Sequence, residues 1–406
     1  MSKRVVILNQ WFDPEPTFKG LLFAKELQKK GYTVEVVTGY PNYPGGKLYS
    51  GYKLSLYKKE MVDGIKIHRV YLYPSHDKSK IKRILNYGSF AFFSLIFCLF
   101  FLKKPHALYV YHPPLTTGIA AAFLSKFKRI PFVYDIQDLW PDTLKATGMV
   151  NSNRVLKIVD RVASCVYREA KILVVLSEGF KERLVDRGVS PDKIKVIYNW
   201  ADERFIQSNI GSQPRNINNT FDQDYFNLLY AGNFGVAQEL TVLLQAAELL
   251  NHNKKIKIYL MGDGQERERL IKEVEDKALE NVTILNSVPL SEVSPFLNSA
   301  SALFIHLKKD PLFEITIPGK TQAYMAAGKP ILMGVSGAAA ELVQRSGCGL
   351  FAKSSDAQSV ADAIMAFASL EQSQLDEMGE KGRQFYLNEL SLSSGVDKFA
   401  SIFESL

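Results

Sequence analysis

Short apolar runs alternate with longer stretches of helical periodicity along almost the whole chain. In the first half, Arg4–Asn9 predicts a strand and Gly20–Lys30 a helix whose apolar positions are Leu21, Leu22, Ala24 and Leu27. Thr33–Thr38 predicts a second strand, entered after the stop at Lys29-Lys30-Gly31. Strands follow at Ala107–Tyr111, Phe132–Asp135 and Ile172–Leu176, with helices at Leu115–Phe127 and Asn153–Glu169. This βαβ order predicts a parallel sheet with helices on both faces. A polar, turn-rich stretch from Ile206 to Tyr225 then interrupts the pattern as a linker. The series restarts with strands at Phe226–Tyr230, Lys257–Met261, Val282–Leu285, Ala302–His306 and Ile331–Met333. The reading is α/β: two doubly wound sheets joined by a hinge, with ligands expected at the carboxyl ends of the strands across a cleft. The expected units are 1–203, 204–385, and a terminal helix, 386–406, crossing back to the first.

One segment departs from the alternation. Ile84–Leu102 is a run of 19 residues without a charge, flanked by Lys80, Lys82 and Arg83 before it and Lys103 and Lys104 after it. That is close to the length of a bilayer span. However, Asn86, Gly88, Ser89 and Ser94 interrupt it, and the next strand of the same sheet follows at once. Spanning would divide one sheet between two sides of a membrane. The segment is therefore read as a helix, either buried or partly dipped into a membrane interface.

Charge sharpens this division. Residues 1–200 hold 32 basic and 16 acidic side chains, and residues 201–406 hold 18 and 26. A basic first half suits phosphate groups or an anionic bilayer surface. No nucleic-acid-binding motif accompanies it, so nucleic acid is not an expected partner. Cys98, Cys165 and Cys348 are far apart without metal-ligand spacing, and are read as reduced core residues of a cytoplasmic protein. The apolar start Val5-Val-Ile-Leu8 turns polar too soon for a signal peptide and reads as a first strand.

The turns carry the candidate chemistry. The turn after the first strand lacks G-x-G-x-x-G, and no Walker A lysine motif occurs, which removes the main support for hydride transfer and for phosphoryl transfer from a nucleoside triphosphate. Three turns of the second half suit an anion: Gly232-Asn233-Phe-Gly235, Gly262-Asp263-Gly264, and Pro318-Gly319-Lys320-Thr321 at a helix start. Any one is more often a plain tight turn, but three in one domain point to a diphosphate nucleotide. Asp222-Gln-Asp224 spells D-x-D inside the polar linker, where solvation is the better reading, and no metal site is expected. In the first half, loops after two strands carry Glu15, Thr17, Phe18 and Lys19, and Asn42 and Tyr43. His112 follows another strand.

Several motifs together resemble retaining glycosyltransferases of the GT-B fold, family four: Tyr198-Asn199-Trp-Ala-Asp202, Gly232-Asn-Phe-Gly-Val-Ala-Gln238, Gly262-Asp-Gly-Gln-Glu, and Pro318-Gly-Lys-Thr-Gln-Ala-Tyr-Met-Ala-Ala-Gly-Lys-Pro330. Pro41-Asn-Tyr-Pro-Gly-Gly46 and Asp135-Ile-Gln-Asp138-Leu-Trp140-Pro141 are similar to the branch that builds bacterial surface polysaccharides, within it to N-acetyl-L-fucosamine transferases. The resemblance implies two Rossmann-like domains and transfer with retained anomeric configuration from a UDP-sugar to an undecaprenyl-diphosphate-linked saccharide. It implies O-antigen or capsule assembly, peripheral on the inner face of the cell membrane, without a cofactor. Donor binding falls to Asn233, Gly235, Gln238, Gly262, Asp263, Pro318, Gly319, Lys320, Thr321 and Gln322, with Val288 at the base. Acceptor binding falls to Glu15, Thr17, Phe18, Lys19, Asn42, Tyr43 and His112. Where many members carry an Arg and a Lys, this chain has Asn233 and Gln238; where they carry two glutamates, it has Ile315 and Ala323, with Glu314 and Gln322 one position away. Gln137 stands where a histidine is common. Lys320 is then the main cation for the leaving phosphates and, with Asp138, a catalytic candidate; Asp138 positions the acceptor or acts as an auxiliary base, or else caps the Leu139–Leu144 turn. A nucleotide-sugar 2-epimerase of the same layout, or a non-catalytic membrane partner with a degenerate donor site, stays open.

Overall fold

A computed structural model describes residues 2–75, 79–146, 149–203, 221–222 and 224–406. The chain divides into two compact units, Met1–Tyr198 with Gly395–Leu406, and Asn199–Ser394. The first boundary falls before 203 and the second after 386 because the flanking segments are bonded to each other. Glu203 accepts hydrogen bonds from Tyr386 OH at 2.8 Å and from the Leu392 N–H at 3.0 Å, and the Ala201 N–H donates to Tyr386 Oη at 3.2 Å. Most of the expected linker, Ile206–Tyr225, lies outside the described residues. Within it Asp222 Oδ1 accepts the Asp224 N–H at 3.1 Å, a local turn.

The sheet of the first unit is built from β1 (Arg4–Leu8), β2 (Thr33–Thr38), β3 (Tyr57–Val62), β4 (Ile65–Val70), β5 (Ala107–His112), β6 (Phe132–Ile136), β7 (Ile172–Val175) and β8 (Ile194–Val196). Their order is β3-β4-β2-β1-β5-β6-β7-β8, all parallel except β3. The sequence pattern misses the β3–β4 hairpin because Tyr57-Lys-Lys-Glu-Met-Val62 is an edge strand with largely solvated side chains. Its signal is Asp63-Gly64, both at positive φ, the pair that a tight hairpin turn requires. The sheet interior is a continuous apolar set, including Val5–Leu8, Val36, Tyr109 and Val133, as parallel strands covered on both faces demand. The terminal segment packs here: Phe399 meets Phe23 and Tyr109 with ring centroids 5.2 and 5.4 Å apart, and Tyr32 OH donates to Glu404 at 2.7 Å.

The sheet of the second unit comprises β9 (Phe226–Ala231), β10 (Ile256–Met261), β11 (Val282–Leu285), β12 (Ala302–His306), β13 (Ile331–Gly334) and β14 (Gly349–Phe351), in the order β11-β10-β9-β12-β13-β14. The strand order reverses at β9/β12 here and at β1/β5 in the first unit, and beyond those strands' carboxyl ends is where open α/β sheets place their ligands.

The uncharged run folds as the helix Lys80–Phe100, and its polarity is inverted. The interrupting polar residues face inward: Asn86 and Ser94 are buried beside Phe90 and Cys98. Gln10 Nε2 donates to Asn86 Oδ1 at 2.6 Å, and Asn86 Nδ2 donates to the Tyr73 carbonyl at 2.7 Å. The outer face is apolar, with Ile81, Ile84, Phe92 and Phe100 exposed by 71, 70, 58 and 76%. Lys128 Nζ donates to the Cys98 and Leu102 carbonyls at 2.7 and 2.9 Å, closing the helix's negative end. Of the three cysteines Cys98 and Cys348 are buried, whereas Cys165 is exposed, so the expectation of three core thiols is corrected. Its helix, Asn153–Glu169, is strongly amphipathic and turns that position outward.

Candidate functional site

Three backbone turns converge at the carboxyl ends of β9 and β10. Gly232, at φ 144°, follows β9, and Gly262, at φ 158°, follows β10. A Cβ on Gly262 would lie 1.8 Å from the Gly232 carbonyl oxygen, and one on Gly232 would lie 2.5 Å from Lys320 Nζ. Glycine is therefore required at both positions for the turns and the lysine to share the space. Lys320 enters from the helix Gly319–Ala326, whose first-turn N–H groups precede the helical ladder. Its half-buried ammonium stands over the Tyr230 ring, 3.6 Å from the centroid. Among the described residues this ammonium has no carboxylate within ion-pair reach. Burial, with no anion to offset it, lowers its pKa from 10.5 to about 7. The site is thus a cation placed beside a helix N-terminus, arranged for an anion that arrives from outside.

The neighbouring loop braces itself. Gln238 Oε1 accepts the Gly235 N–H at 3.2 Å and Asn233 Nδ2 at 3.3 Å, the Phe234 N–H donates to the Asp263 carbonyl at 2.8 Å, and Tyr230 OH donates to the Asn233 carbonyl at 2.7 Å. The expectation that the Gly235 amide faces the diphosphate is corrected, because Gln238 already holds it. Asp263 is exposed, and its Oδ1 accepts the Gly264 N–H at 2.8 Å. Gln322 is also turned inward: with its amide nitrogen toward the turn, it donates to the Pro318 and Gly319 carbonyls at 3.0 and 3.2 Å. Buried there, it supports the helix start and does not present itself to a ligand. Thr321 is fully buried, its Oγ1 without a partner. Its N–H donates to the Pro318 carbonyl at 2.9 Å. Val288 is half-buried in the loop after β11.

In the first unit the expected acceptor residues separate into braces and surface. Glu15 is buried: Oε1 accepts the Asn42 and Tyr43 N–H groups at 2.8 Å each, and Oε2 accepts the Phe12 N–H at 3.2 Å. Desolvation outweighs these bonds and lifts its pKa to about 7. Lys19 is also buried, its pKa lowered by burial to about 8 against the pull of Asp135. Asp135 accepts from Tyr109 OH and, at 2.7 Å, from Gln137 Nε2. Asn42 is buried and donates to the Tyr40 carbonyl at 2.9 Å. His112 is buried with both ring nitrogens unpartnered, and burial depresses its pKa to about 3, so it is a neutral imidazole. It packs edge-on to Trp140 at 5.3 Å.

What remains open around these braces is aromatic. Trp11 lies 4.9 Å from Tyr43 and 6.4 Å from Tyr87, centroid to centroid, and all three are half-buried. Thr17 bonds to Tyr111, and Phe18 is exposed. Asp138 is half-buried near Tyr111 and Tyr87, its pKa raised by desolvation. Among the described residues its side chain does not cap the following turn, and its backbone carbonyl accepts the Trp140 N–H at 3.1 Å. Sequence reasoning missed Trp11, Tyr87 and Tyr111, whose chain positions share no spacing.

Two family models match: the description "Glycosyl transferase 4-like domain" over residues 21–200 and "Glycosyl transferases group 1" over residues 214–385. The chain is a glycosyltransferase of the GT-B fold. Solved structures agree on the fold. The trehalose-6-phosphate protein from E. coli bound with UDP-2-fluoro glucose superposes with a TM-score of 0.75 at 11% identity, over 100% of this chain and 99% of that one. Sucrose-phosphate synthase from Thermosynechococcus elongatus gives 0.73 at 13% identity, over 99 and 98%. HepE of Anabaena in complex with UDP gives 0.69 at 14% identity, over 99 and 100%. A sequence comparison with curated proteins finds no match.

For a glycosyltransferase, the cradle at Lys320 has the chemistry a nucleoside diphosphate leaving group needs. Negative charge grows on such a phosphate as it departs, and a lysine with helix-terminal N–H groups already in place is the kind of group that can stabilise it without reorganisation. Among the described residues no cluster of metal-ligating side chains forms.

Proposed function

We propose that this glycosyltransferase transfers a sugar from UDP to a lipid-linked saccharide, with retention, at the inner face of the membrane. The single observation that carries the donor half is Lys320, an ammonium without an anionic partner among the described residues, beside a helix N-terminus and over the Tyr230 ring. Resemblance favours UDP as the carrier and N-acetyl-L-fucosamine as the sugar, in O-antigen or capsule assembly. Solved structures of the same fold hold UDP or a UDP-sugar. In the reaction the bond from sugar C1 to the diphosphate oxygen breaks as the acceptor oxygen bonds C1 on the same face. The acceptor's proton passes to the departing phosphate oxygen, and UDP leaves. Lys320 and the first-turn amides of Gly319 and Lys320 hold the diphosphate. Tyr43, Trp11 and Tyr87 offer ring faces to the acceptor sugar, and Asp138 orients its hydroxyl.

The acceptor half is supported by the basic first 200 residues and by the outward apolar face of the helix Lys80–Phe100, which is long and apolar enough to cross a membrane by length and composition. The test is a screen of UDP-sugars by thermal shift, then transfer onto membrane extract with release of UDP measured. One UDP-sugar should stabilise the protein and release UDP only when lipid acceptor is present. Stabilisation by no UDP-sugar would overturn the reading.

A further inference from the structure

The first unit contains a cavity of about 770 Å³ between the latter half of the helix Lys80–Phe100 and the β3–β4 hairpin. That volume lies in the range, roughly 300–1,000 Å³, that holds a sizeable small ligand. Its lining is of two kinds. Leu56, Tyr57, Val70, Phe93, Ile96 and Phe97 are apolar. Arg4, Lys59, Lys66 and Lys103 bring four cations, against the single carboxylate Glu35. Glu35 is already satisfied, with His68 Nε2 at 3.1 Å, Lys66 Nζ at 3.3 Å and Arg4 Nη1 at 3.6 Å. The ammonium groups of Lys59 and Lys103 have no acceptor among the described residues. The lining therefore carries excess positive charge that no further acceptor among the described residues meets.

Position separates this cavity from the acceptor braces. Arg4 opens β1 and Lys66 lies near the start of β4, so these two cations lie toward the amino ends of the parallel strands, while Lys59, opposite His68, stands on the same face further along. Glu15, Asn42 and His112 belong to loops or strand ends at the opposite edge. The cavity also opens onto the outward apolar face. Phe101 lines it while 73% exposed, next to exposed Phe100. The helix Leu115–Lys128 packs alongside and extends that surface with exposed Phe123 and Phe127, stacked at 6.2 Å. An exposed apolar face of this extent marks a contact surface, and a bilayer presents apolar chains and anionic headgroups together.

We infer that this groove binds one anionic phospholipid of the bilayer, its acyl chain against Phe93, Ile96 and Phe97 and its phosphate at Lys59 and Lys103. Charge complementarity and continuity with the outward helix face select this occupant over an uncharged lipid. The lipid would seat the first unit on the membrane without taking part in transfer. The inference rests on the membrane part of the proposed function and is independent of the sugar and its donor.

The test uses the full chain and two soluble short-chain lipids, dioctanoyl phosphatidylglycerol and dioctanoyl phosphatidylcholine, titrated below their micelle concentrations by calorimetry. One saturable site for the anionic lipid is expected, roughly tenfold tighter than for the zwitterionic one. The double variant Lys59→Glu with Lys103→Glu should erase the preference, and Phe101→Glu should weaken both lipids. All three positions lie on the surface, and thermal melting together with UDP binding reports that each variant folds. Equal affinity for both lipids, no saturation, or anionic-lipid binding unchanged in the double variant would overturn the inference. UDP binding and sugar transfer read the donor proposal separately.

Discussion

The two crevices, one at the strand ends of each sheet, are built from different materials. In the second unit the site is mostly backbone: glycine turns after β9 and β10, a helix start, and one lysine above a tyrosine ring. In the first unit it is mostly side chain: buried Glu15, Lys19 and Asn42 hold the loops, and aromatic rings face outward. On the proposed function the difference matches what each would bind: a diphosphate is common to all UDP-sugars and suits fixed dipoles, whereas an acceptor sugar varies and suits exchangeable side chains laid on a braced support.

If this contrast holds, the largest effect comes from the lysine. Lys320→Ala should lower turnover by about a hundredfold or more while thermal melting stays near that of the parent. A change below about threefold would remove Lys320 from the leaving-group role. Next, Gly262→Ala should cost about 1–3 kcal/mol in denaturant unfolding, because its Cβ would meet the Gly232 carbonyl at 1.8 Å. A neutral result would show that the turns yield.

UDP affinity should also depend on pH. Lys320 loses its proton near pH 7 when free and must carry it when holding a diphosphate. Affinity should therefore fall by up to about tenfold per unit as pH rises above 7. In Lys320→Met that dependence should vanish. Calorimetry at several pH values measures it.

Smaller effects belong to the first unit. Tyr43→Ala should raise KM for the acceptor by about three- to tenfold with UDP affinity unchanged, and a change in UDP affinity would break the division of labour. A separate effect, on stability alone, is expected at Glu15. Its folded pKa of about 7 exceeds the 4.5 of an exposed glutamate, so the folded state binds the extra proton between those values. That group lowers stability as pH rises from 4.5 to 7, and Glu15→Gln should remove its share of the slope. Denaturant midpoints across that window test it.

Much of the second unit's site was legible in the sequence, because glycine after a strand and a lysine at a helix start are local signals. Even there, folding changed roles: Gln238 took the Gly235 amide and Gln322 turned beneath the helix start. The first unit's site was much less legible. Glu15 and Lys19 sit among turn formers and, from the sequence, stand as acceptor-binding candidates with no sign of burial. They are buried because loop N–H groups and Asp135 need partners that only the folded chain brings near.

By itself the sequence determined the alternation of strands and helices, the two-unit plan and the phosphate-friendly turns, since each depends on neighbours a few residues apart. Tertiary structure decided which polar side chains became braces and which rings were left facing out. It also turned the uncharged helix so that its amides point inward and its apolar residues outward. The physical reason is that burial and hydrogen-bond pairing are settled by residues distant in the chain, and no local pattern records them.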